Sequence, residues 1–551
     1  MKLKSYILFL SALLFMLSNQ INAQITERER PREWDNLVQS GRFMDRFLPM
    51  HVQGNLTNDV WGVDAVVPRY PGNGLEDNEW SYWGGNAKLG SDGKYHLFVC
   101  RWPESAEKGH MEWPKSIVVH AVSNNSFGPY EVIQTLGPGH NPEIFQLKNG
   151  NYVVYVYGGY YIADNLNGPW ERKQFDFNPR DRKINDGLSN LTFARREDGS
   201  YLMVCRGGGV WISETGTSEY NQISCKSAYP PVEGRFEDPV VWRTNVQYHM
   251  IVNDWFGRIA YYLRSKDGVK WKVEPGEAYM PGIAKYEDGT FVDWFKFERI
   301  KMLQDEYGRA AQAHFAVIDT IKWNDLGNDK HSSKHICIPL VKGRLMQVLN
   351  DKKITSETKT IRVKIEAEED FNPHTDINIQ SLRFGASEEV NFGRGSKVVE
   401  TEKDGKDLIV IFDGKGNGLT ENNFAGKMLG KTADGQLLFG YARLPEVNYI
   451  EPILSATEPL ITNNSGRVSF EVQNFGQVAS EKTPVVVELK NENQLLTFGG
   501  DVSGLKPYEK IKVTIDSKNG TIPEAAYDVR IVVKDAKETV LFETDSKTKE
   551  E

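Results

Sequence analysis

Four segments, GKYHLFVCRW, GNYVVYVYGG, GSYLMVCRGG and VQYHMIVNDW, repeat one pattern of apolar and polar positions. Each enters from a turn and continues from a tyrosine (Tyr95, Tyr152, Tyr201, Tyr248) into an alternating or wholly apolar stretch, which predicts a buried strand. YGRAAQAHFAVID is a fifth, degenerate copy. Ahead of the copies lie short apolar strands, NAKLG, NPEIF, NLTFA, DPVVW and RIKML; after the first four come a third strand, such as IVVHAVS or IAYYLRS, and a fourth, such as GPYEVI or VKWKVE. Four antiparallel strands per unit, five times over between about residues 60 and 345, predict a five-bladed β-propeller.

The pattern changes after HICIPLVKGRLMQVLNDKK. From about 357 to 450, strands such as KTIRVKIEAEE, DLIVIFDG and GQLLFGYARL alternate with Gly- and Asp-rich turns, predicting a β-sandwich. A second sandwich is expected over 451–545, where GRVSFEVQNFGQVASEKTPVVVELK, GLKPYEKIKVTI and AAYDVRIVVKD are similar to immunoglobulin-like, adhesion-related repeats. No tryptophan occurs in either, so they read as spacers rather than sugar platforms. The expected fold is all-β: a five-bladed propeller over 24–350 and two β-sandwich domains.

In a propeller the first strand of every blade lines the central channel, and its start opens on one face. The residues there are Gly85 and Asn86; His140, Asn141 and Glu143; Ser189 and Asn190; Glu237 and Asp238; Glu298 and Arg299. Polar and titratable groups converging on a channel mouth make the default candidate site; the alternative is that they only cross-link the channel. Antiparallel order brings the turns between second and third strands to the same face: CRWPESAEKGHMEWPKS, YGGYY, CRGGGVW and NDWFGR. They carry Trp102, Trp113, Trp211 and Trp255, flat apolar faces suited to sugar rings, together with Asp254.

Charge and length refine this picture. The chain has 551 residues and a net charge of −9, which argues against general nucleic-acid binding. Arg101, Arg206, Arg235, Arg258 and Arg299 nevertheless map to the mouth face, and guanidinium forks suit a carboxylated or sulfated sugar. The four cysteines have no paired short spacing and signal neither a zinc cage nor a disulfide framework. Lys2 and Lys4 ahead of an apolar run, with Ala23 at a cleavage point, read as a secretory leader over 1–23. Export to the periplasm or beyond is expected, without a membrane span.

The segments NPEIF, SNLTF and EDPVVW resemble the second-, third- and fourth-blade strands of the five-bladed propeller glycosidases, especially glycoside hydrolase family 43. The resemblance covers about residues 60 to 345 and implies an inverting hydrolase with three carboxyl groups. Carried over residue by residue, it makes Glu237 the general acid. The family's base and tuning aspartates fall where this chain has Gly85 and Asn86, and Ser189. Asp64, Asp186 and Asp254 are nearby substitutes, with Asp64 favoured as base and Asp238 or Asp186 as tuning group. Glu143, Asn190, Arg206, Arg235, Arg299, Asp254, Trp102, Trp255 and His140 complete the candidate set as substrate contacts. Exo attack on a plant or algal oligosaccharide is the expected activity. Two other readings stay open: a sugar-binding propeller without catalysis, and a lyase with His140 as base. No cofactor is signalled, although the channel leaves room for a structural calcium; the oligomeric state is open.

Overall fold

Each repeat tyrosine opens the second strand of a four-stranded antiparallel unit in the computed structural model, which describes residues 28–57, 68–184, 186–518, 520–535 and 539–547. The expected leader, 1–23, and Asp64 lie outside the described residues. Blade 1 runs Trp80–Leu89, Tyr95–Pro103, Ile117–Ser123 and Glu131–Pro138; blade 2 runs Glu143–Gln146, Tyr152–Val156, Gly159–Ala163 and Glu171–Lys173. Blade 3 comprises Thr192–Arg195, Tyr201–Val204, Val210–Ser213 and Tyr220–Gln222, with the short strand Phe177–Asn178 added in parallel at its edge. Blade 4 is Phe236–Arg243, Tyr248–Asp254, Ile259–Ser265 and Lys272–Tyr279. Blade 5 has three strands, Lys296–Gln304, Ala310–Ile318 and Ser333–Pro339. Leu75 covers its outer edge, pairing antiparallel with His335, while the Asn73 amide brackets the Cys337 backbone.

The apolar clusters show why five such sheets close into a ring. One cluster joins Phe98 and Trp83 of blade 1 to Ile144 and Val154 of blade 2 and to Ala316 and Ile318 of blade 5. Others join Tyr155 to Phe193, Leu202 to Val241, and Ile251 to Phe315, so every neighbouring pair of blades shares a filled interface. The tyrosines reach back across these interfaces: the Tyr201 hydroxyl donates to the Gln146 carbonyl and that of Tyr248 to Glu197. An aromatic ring with a polar tip suits a position whose body is buried between sheets and whose end meets a strand edge.

Beyond the propeller, one seven-stranded sheet folds over on itself. Its order is Met346–Val348, Thr360–Ile365, Asp407–Asp413, Ser396–Asp404, Ile377–Gly385, Ala425–Thr432, Leu437–Arg443. The two halves face each other across Ile361, Val363, Phe384, Phe412 and Met428. Its first strand begins at 346, ahead of the expected boundary at 357. The last unit is a sandwich of two four-stranded sheets filled by Val468, Phe470, Val487, Leu489 and Ile531. No helix among the described residues is long and apolar enough to cross a membrane.

Candidate functional site

The innermost strands share one irregularity. In blade 1, Trp83 pairs with Cys100 and the register then shifts to Asn86 and Phe98; in blade 4 it shifts between Glu237 and Val240, and in blade 5 between Glu298 and Lys301. The residue that begins each bulge is left-handed: Gly84 (φ 65°), Asn141 (55°), Asn190 (53°), Asp238 (56°) and Arg299 (55°). Asn and Asp tolerate this conformation best among residues with side chains. Arg299 is held there by Asp238, whose carboxylate accepts from its backbone N–H at 3.2 Å and from Nη1 at 2.7 Å.

This register defines three layers down the channel. Outermost are the residues before the bulge: Trp83, His140, Ser189, Glu237 and Glu298, opposite Cys100, Tyr157, Arg206, Asn253 and Ala316. Below lies the left-handed ring. Deepest are Asn86, Glu143, Thr192, Val240 and Lys301. Asn86 therefore belongs to a lower layer than Asn141, Asn190, Asp238 and Arg299, contrary to the expected mouth ring. Its amide bridges to the Ile144 backbone, accepting at 2.8 Å and donating at 3.2 Å. The two-residue shift arises because Gly84 and Gly85 form the bulge. A Cβ at Gly85 would lie 2.1 Å from the Phe98 carbonyl oxygen, so only glycine fits there.

The outer layer and the adjoining turns enclose a cavity of about 440 Å³. Trp83, His140, Glu237 and Arg299 form its inner wall; Trp113, Tyr157, Arg206, Trp255 and Trp323 stand around it, with Asp186 exposed on one side. Of the sequence candidates, Glu237, His140, Asn190, Arg206, Arg299, Trp255 and Asp186 meet here, and Asp238 lies directly below.

Four described candidates do not line the cavity. Trp102 is buried behind the wall, edge-on to His110. Asp254 has no exposed side-chain surface; it accepts from Arg28 Nε at 2.6 Å and from the Arg235 and Gly257 backbone, bracing the turn. The exposed Arg235 guanidinium lies over Phe256 instead. Glu143, in the deep layer, pairs with Lys301 across the channel and accepts from the Phe193 N–H at 3.2 Å, tying blade 2 to blades 3 and 5. Asp64 lies outside the described residues. Trp211 is likewise buried, and Arg101 and Arg258 cover Trp80 and Phe295 rather than the cavity.

The buried carboxylates of the site are paired. Glu237 meets Arg206, Asp238 meets Arg299, and Glu298 meets Lys322 and, at 3.5 Å, Lys296. Burial pushes the Glu237 carboxyl upward and the Asp238 charge adds to it; Lys322, Arg299 and Arg206 oppose this without cancelling it. Burial acts on Glu298 in the same sense, but Lys322 and Lys296 outweigh it and hold that carboxyl low. Two carboxyls one blade apart are thus biased in opposite directions.

His140 completes the chemistry. Burial, then Arg299 and Lys322, drive its imidazole well below the usual range, so it is neutral near pH 7. Ser116 Oγ lies 2.9 Å from Nδ1 and Cys100 Sγ 3.4 Å away. Both have other acceptors for their single protons: Ser116 the Trp113 or Gly139 carbonyl, Cys100 the Trp83 carbonyl. They therefore face Nδ1 with lone pairs, which assigns the ring proton to Nδ1 and leaves Nε2 as the open acceptor. Trp113 lies across the ring at 4.7 Å and fixes its plane.

Neither candidate metal location suits a resident ion. The channel below the mouth is lined by Gly84, Asn141, Asn190, Asp238, Arg299 and Lys301, two cations against one carboxylate already paired with Arg299. A hard cation such as calcium requires several free oxygen ligands, so this donor set does not fit one. Elsewhere, inside blade 5, donor atoms of His314, His335 and Cys337 lie within 4.8 Å of one another. There Gln312 donates to His314 Nε2 at 3.3 Å, so Nδ1 carries the proton that His335 Nε2 and Cys337 share, and the atoms that would face an ion are already engaged in hydrogen bonds, while His335 Nδ1 has no partner.

Sequence reasoning missed Trp83, His110, Tyr157, Lys322 and Trp323. Lys322 and Trp323 come from the turn between the second and third strands of blade 5, the degenerate repeat. The motif IKWND was the available signal, since the equivalent turns of other blades carry tryptophan too.

No family model and no curated protein sequence matches the chain. Solved structures give weak likenesses. A protein of unknown function from Dyadobacter fermentans has 10% identity over 62% of this chain and 97% of its own, with a TM-score of 0.31. A glycoside hydrolase has 13% identity over 81% and 96%, TM-score 0.34. The GH43 protein BlXynB of Bacillus licheniformis has 10% identity over 86% and 91%, TM-score 0.34. At these scores the likeness carries no argument.

Proposed function

We propose that the protein is an exported glycosidase that hydrolyses oligosaccharides with inversion, Glu237 acting as general acid and His140 as general base. One observation carries this reading: Glu237 and His140 hold the same register position in blades 4 and 2 and face one aromatic-walled cavity, one biased toward its protonated form and the other neutral with Nε2 open. The Glu237 carboxyl gives its proton to the glycosidic oxygen as the bond to the anomeric carbon breaks. A water attacks that carbon from the opposite side and passes a proton to His140 Nε2. Glu237 becomes anionic as His140 becomes cationic, so the site's net charge is unchanged through the step; exchange with solvent resets both groups. Trp113, Trp255 and Trp323 offer faces for sugar rings. The N-terminal leader pattern supports export.

A lyase reading also draws on the open Nε2 of His140, which could remove a proton beside a uronate carboxyl. Proton NMR of the products separates the readings. Incubation with oligosaccharides from acidic and neutral plant and algal polysaccharides should first release the anomer opposite to the bond cleaved. A product with a new carbon–carbon double bond would replace hydrolysis by elimination. Saturable binding with no product from any of them would leave a sugar-binding propeller.

A further inference from the structure

Three cations border the cavity, and they are not equally committed. Arg299 is bound twice by Asp238, whose side chain is fully buried. Lys322 is bound by Glu298, 1% exposed, and its ammonium also lies over the Trp83 ring at 5.0 Å. Arg206 pairs only with Glu237, through Nη2; its Nε, like that of Arg299, is buried without a hydrogen-bond partner. The side chains of this pair are 33% and 11% exposed, against 10% and 0% for Arg299 and Asp238. It is the ion pair a ligand can reach, and an ion pair open to water is weak and exchangeable. The turn that carries it, Cys205 to Gly209, has three glycines after Arg206 and no bulk to shield the guanidinium.

We propose that Arg206 recognises an anionic substituent on the sugar, a carboxylate or sulfate ester, and that this ligand takes Arg206 from Glu237 and turns Glu237 from an ion-paired carboxylate into the free acid. A guanidinium can bind such a planar anion through two parallel hydrogen bonds, better than it binds Glu237 through one. Without its partner, Glu237 keeps Asp238 beside it and the buried wall around it, both favouring the protonated form, against Lys322 and Arg299, which are occupied elsewhere. The proton comes from solvent, one per ligand bound. The site would then be acidic only when the correct substrate occupies it. The acid role rests on the glycosidase reading above; the proton-linked exchange at Arg206 does not require turnover.

Titration calorimetry of the intact protein near pH 7, in two buffers of different ionisation enthalpy, tests this with D-glucuronate, D-galactose 6-sulfate and neutral D-glucose. One or both anionic sugars should bind with uptake of up to one proton, and D-glucose with none. Glu237→Gln should bind the anionic sugar without proton uptake. Arg206→Ala should lose at least tenfold in affinity for it and change D-glucose affinity less than twofold; Arg206→Lys, which keeps the charge but not the fork, should fall between. Binding of the anionic sugars without proton uptake, or equal losses for anionic and neutral sugars in Arg206→Ala, overturns the proposal. Hydrolysis that needs Glu237 but is indifferent to Arg206 overturns it while leaving the glycosidase reading intact. Proton-linked binding with no hydrolysis of any oligosaccharide does the reverse.

Discussion

Trp83 and Glu237 occupy the same position in two different blades: each is the last residue before the bulge of its innermost strand, Trp83 opposite Cys100 and Glu237 opposite Asn253. An indole therefore stands in blade 1 where blade 4 presents a carboxyl. It cannot serve as a general acid or base near neutral pH, but it shapes the wall facing Glu237 and carries Lys322 over its ring. With Ser189 in blade 3 and Glu298 locked by two lysines, the outer layer has two groups free to move protons across the cavity, Glu237 and His140.

For Glu237 the expected outcome is a leaving-group dependence. Glu237→Gln keeps the shape and the contact with Arg206 while removing the proton the departing oxygen needs. General acid catalysis contributes about 10² to 10⁴ in rate. Turnover of a natural oligosaccharide should fall by about that factor, and turnover of an analogue with a good aryl leaving group by far less. Parent-like hydrolysis of the natural substrate by this variant would place the acid elsewhere.

His140 and Ser116 should separate as reacting group and positioning group. His140→Gln removes the base and should lower kcat by about 10² or more on natural and aryl substrates alike, because water attack is needed for both. Ser116→Ala leaves the imidazole but frees its tautomer, with Cys100 as the remaining partner of Nδ1. A loss of about tenfold in kcat with little change in KM is expected, recovered in Ser116→Thr, which restores a hydroxyl. An unchanged kcat in Ser116→Ala would show that the tautomer is fixed by other means.

The repeat was legible because its physics is local: a tyrosine at each blade interface and an apolar run that must be buried. What the pattern could not give was register. Gly85 and Asn86, read as the first-blade mouth, lie two residues deeper than the mouth positions Trp83 and Gly84, since a Gly-Gly bulge looks in sequence like continuing strand. Exposure was equally hidden. Trp102 and Trp211 share the aromatic turn pattern of Trp113 and Trp255, yet they pack inward, and alternation along a short irregular turn does not distinguish the two directions. Asp254 and Arg235 looked chemical because they are charged and near the mouth, but Arg28, from more than two hundred positions away in the chain, neutralises Asp254.

The C-terminal sandwich is fastened to the propeller by three guanidinium groups: buried Arg196 donates to the Phe475 carbonyl at 2.9 Å, Arg182 to the Ala456 carbonyl at 2.7 Å, and Arg180 makes the widest set of contacts. Arg180 is almost without exposed side chain; it donates to Glu471 at 3.0 Å, Gln473 at 3.1 Å and the Ser455 carbonyl at 2.9 Å. Arg180→Ala strands these acceptors in a buried seam and should cost about 1–3 kcal/mol. Scanning calorimetry should show the last sandwich melting as a separate, earlier transition. A single unshifted transition would show that Arg182, Arg196 and the apolar seam around Phe475 suffice without Arg180.

Stability should also depend on a buried carboxyl in the loop that carries Lys322 and Trp323. Asp325 is 1% exposed, its Oδ2 has no hydrogen-bond partner, and burial together with Glu104, Asp329 and Asp319 pushes its pKa up to about 8, against one opposing hydrogen bond from the His110 backbone. The folded chain therefore holds a proton that the unfolded chain releases above 3.8. The stability tied to that proton is fully present below the unfolded value and is lost as pH rises toward 8, with a slope of at most about 1.4 kcal/mol per pH unit. Asp325→Asn has no proton to lose. It should match the parent near pH 4, exceed it in Tm by a growing margin up to pH 8, and keep a constant margin beyond. Lys334, buried nearby with its pKa lowered to about 7, titrates in both proteins and cancels from the difference. Parallel Tm profiles from pH 4 to 8 would mean that the loop opens enough to solvate Asp325, and the cavity wall it supports would then be far less rigid than its packing against the Gly109–Lys115 turn implies.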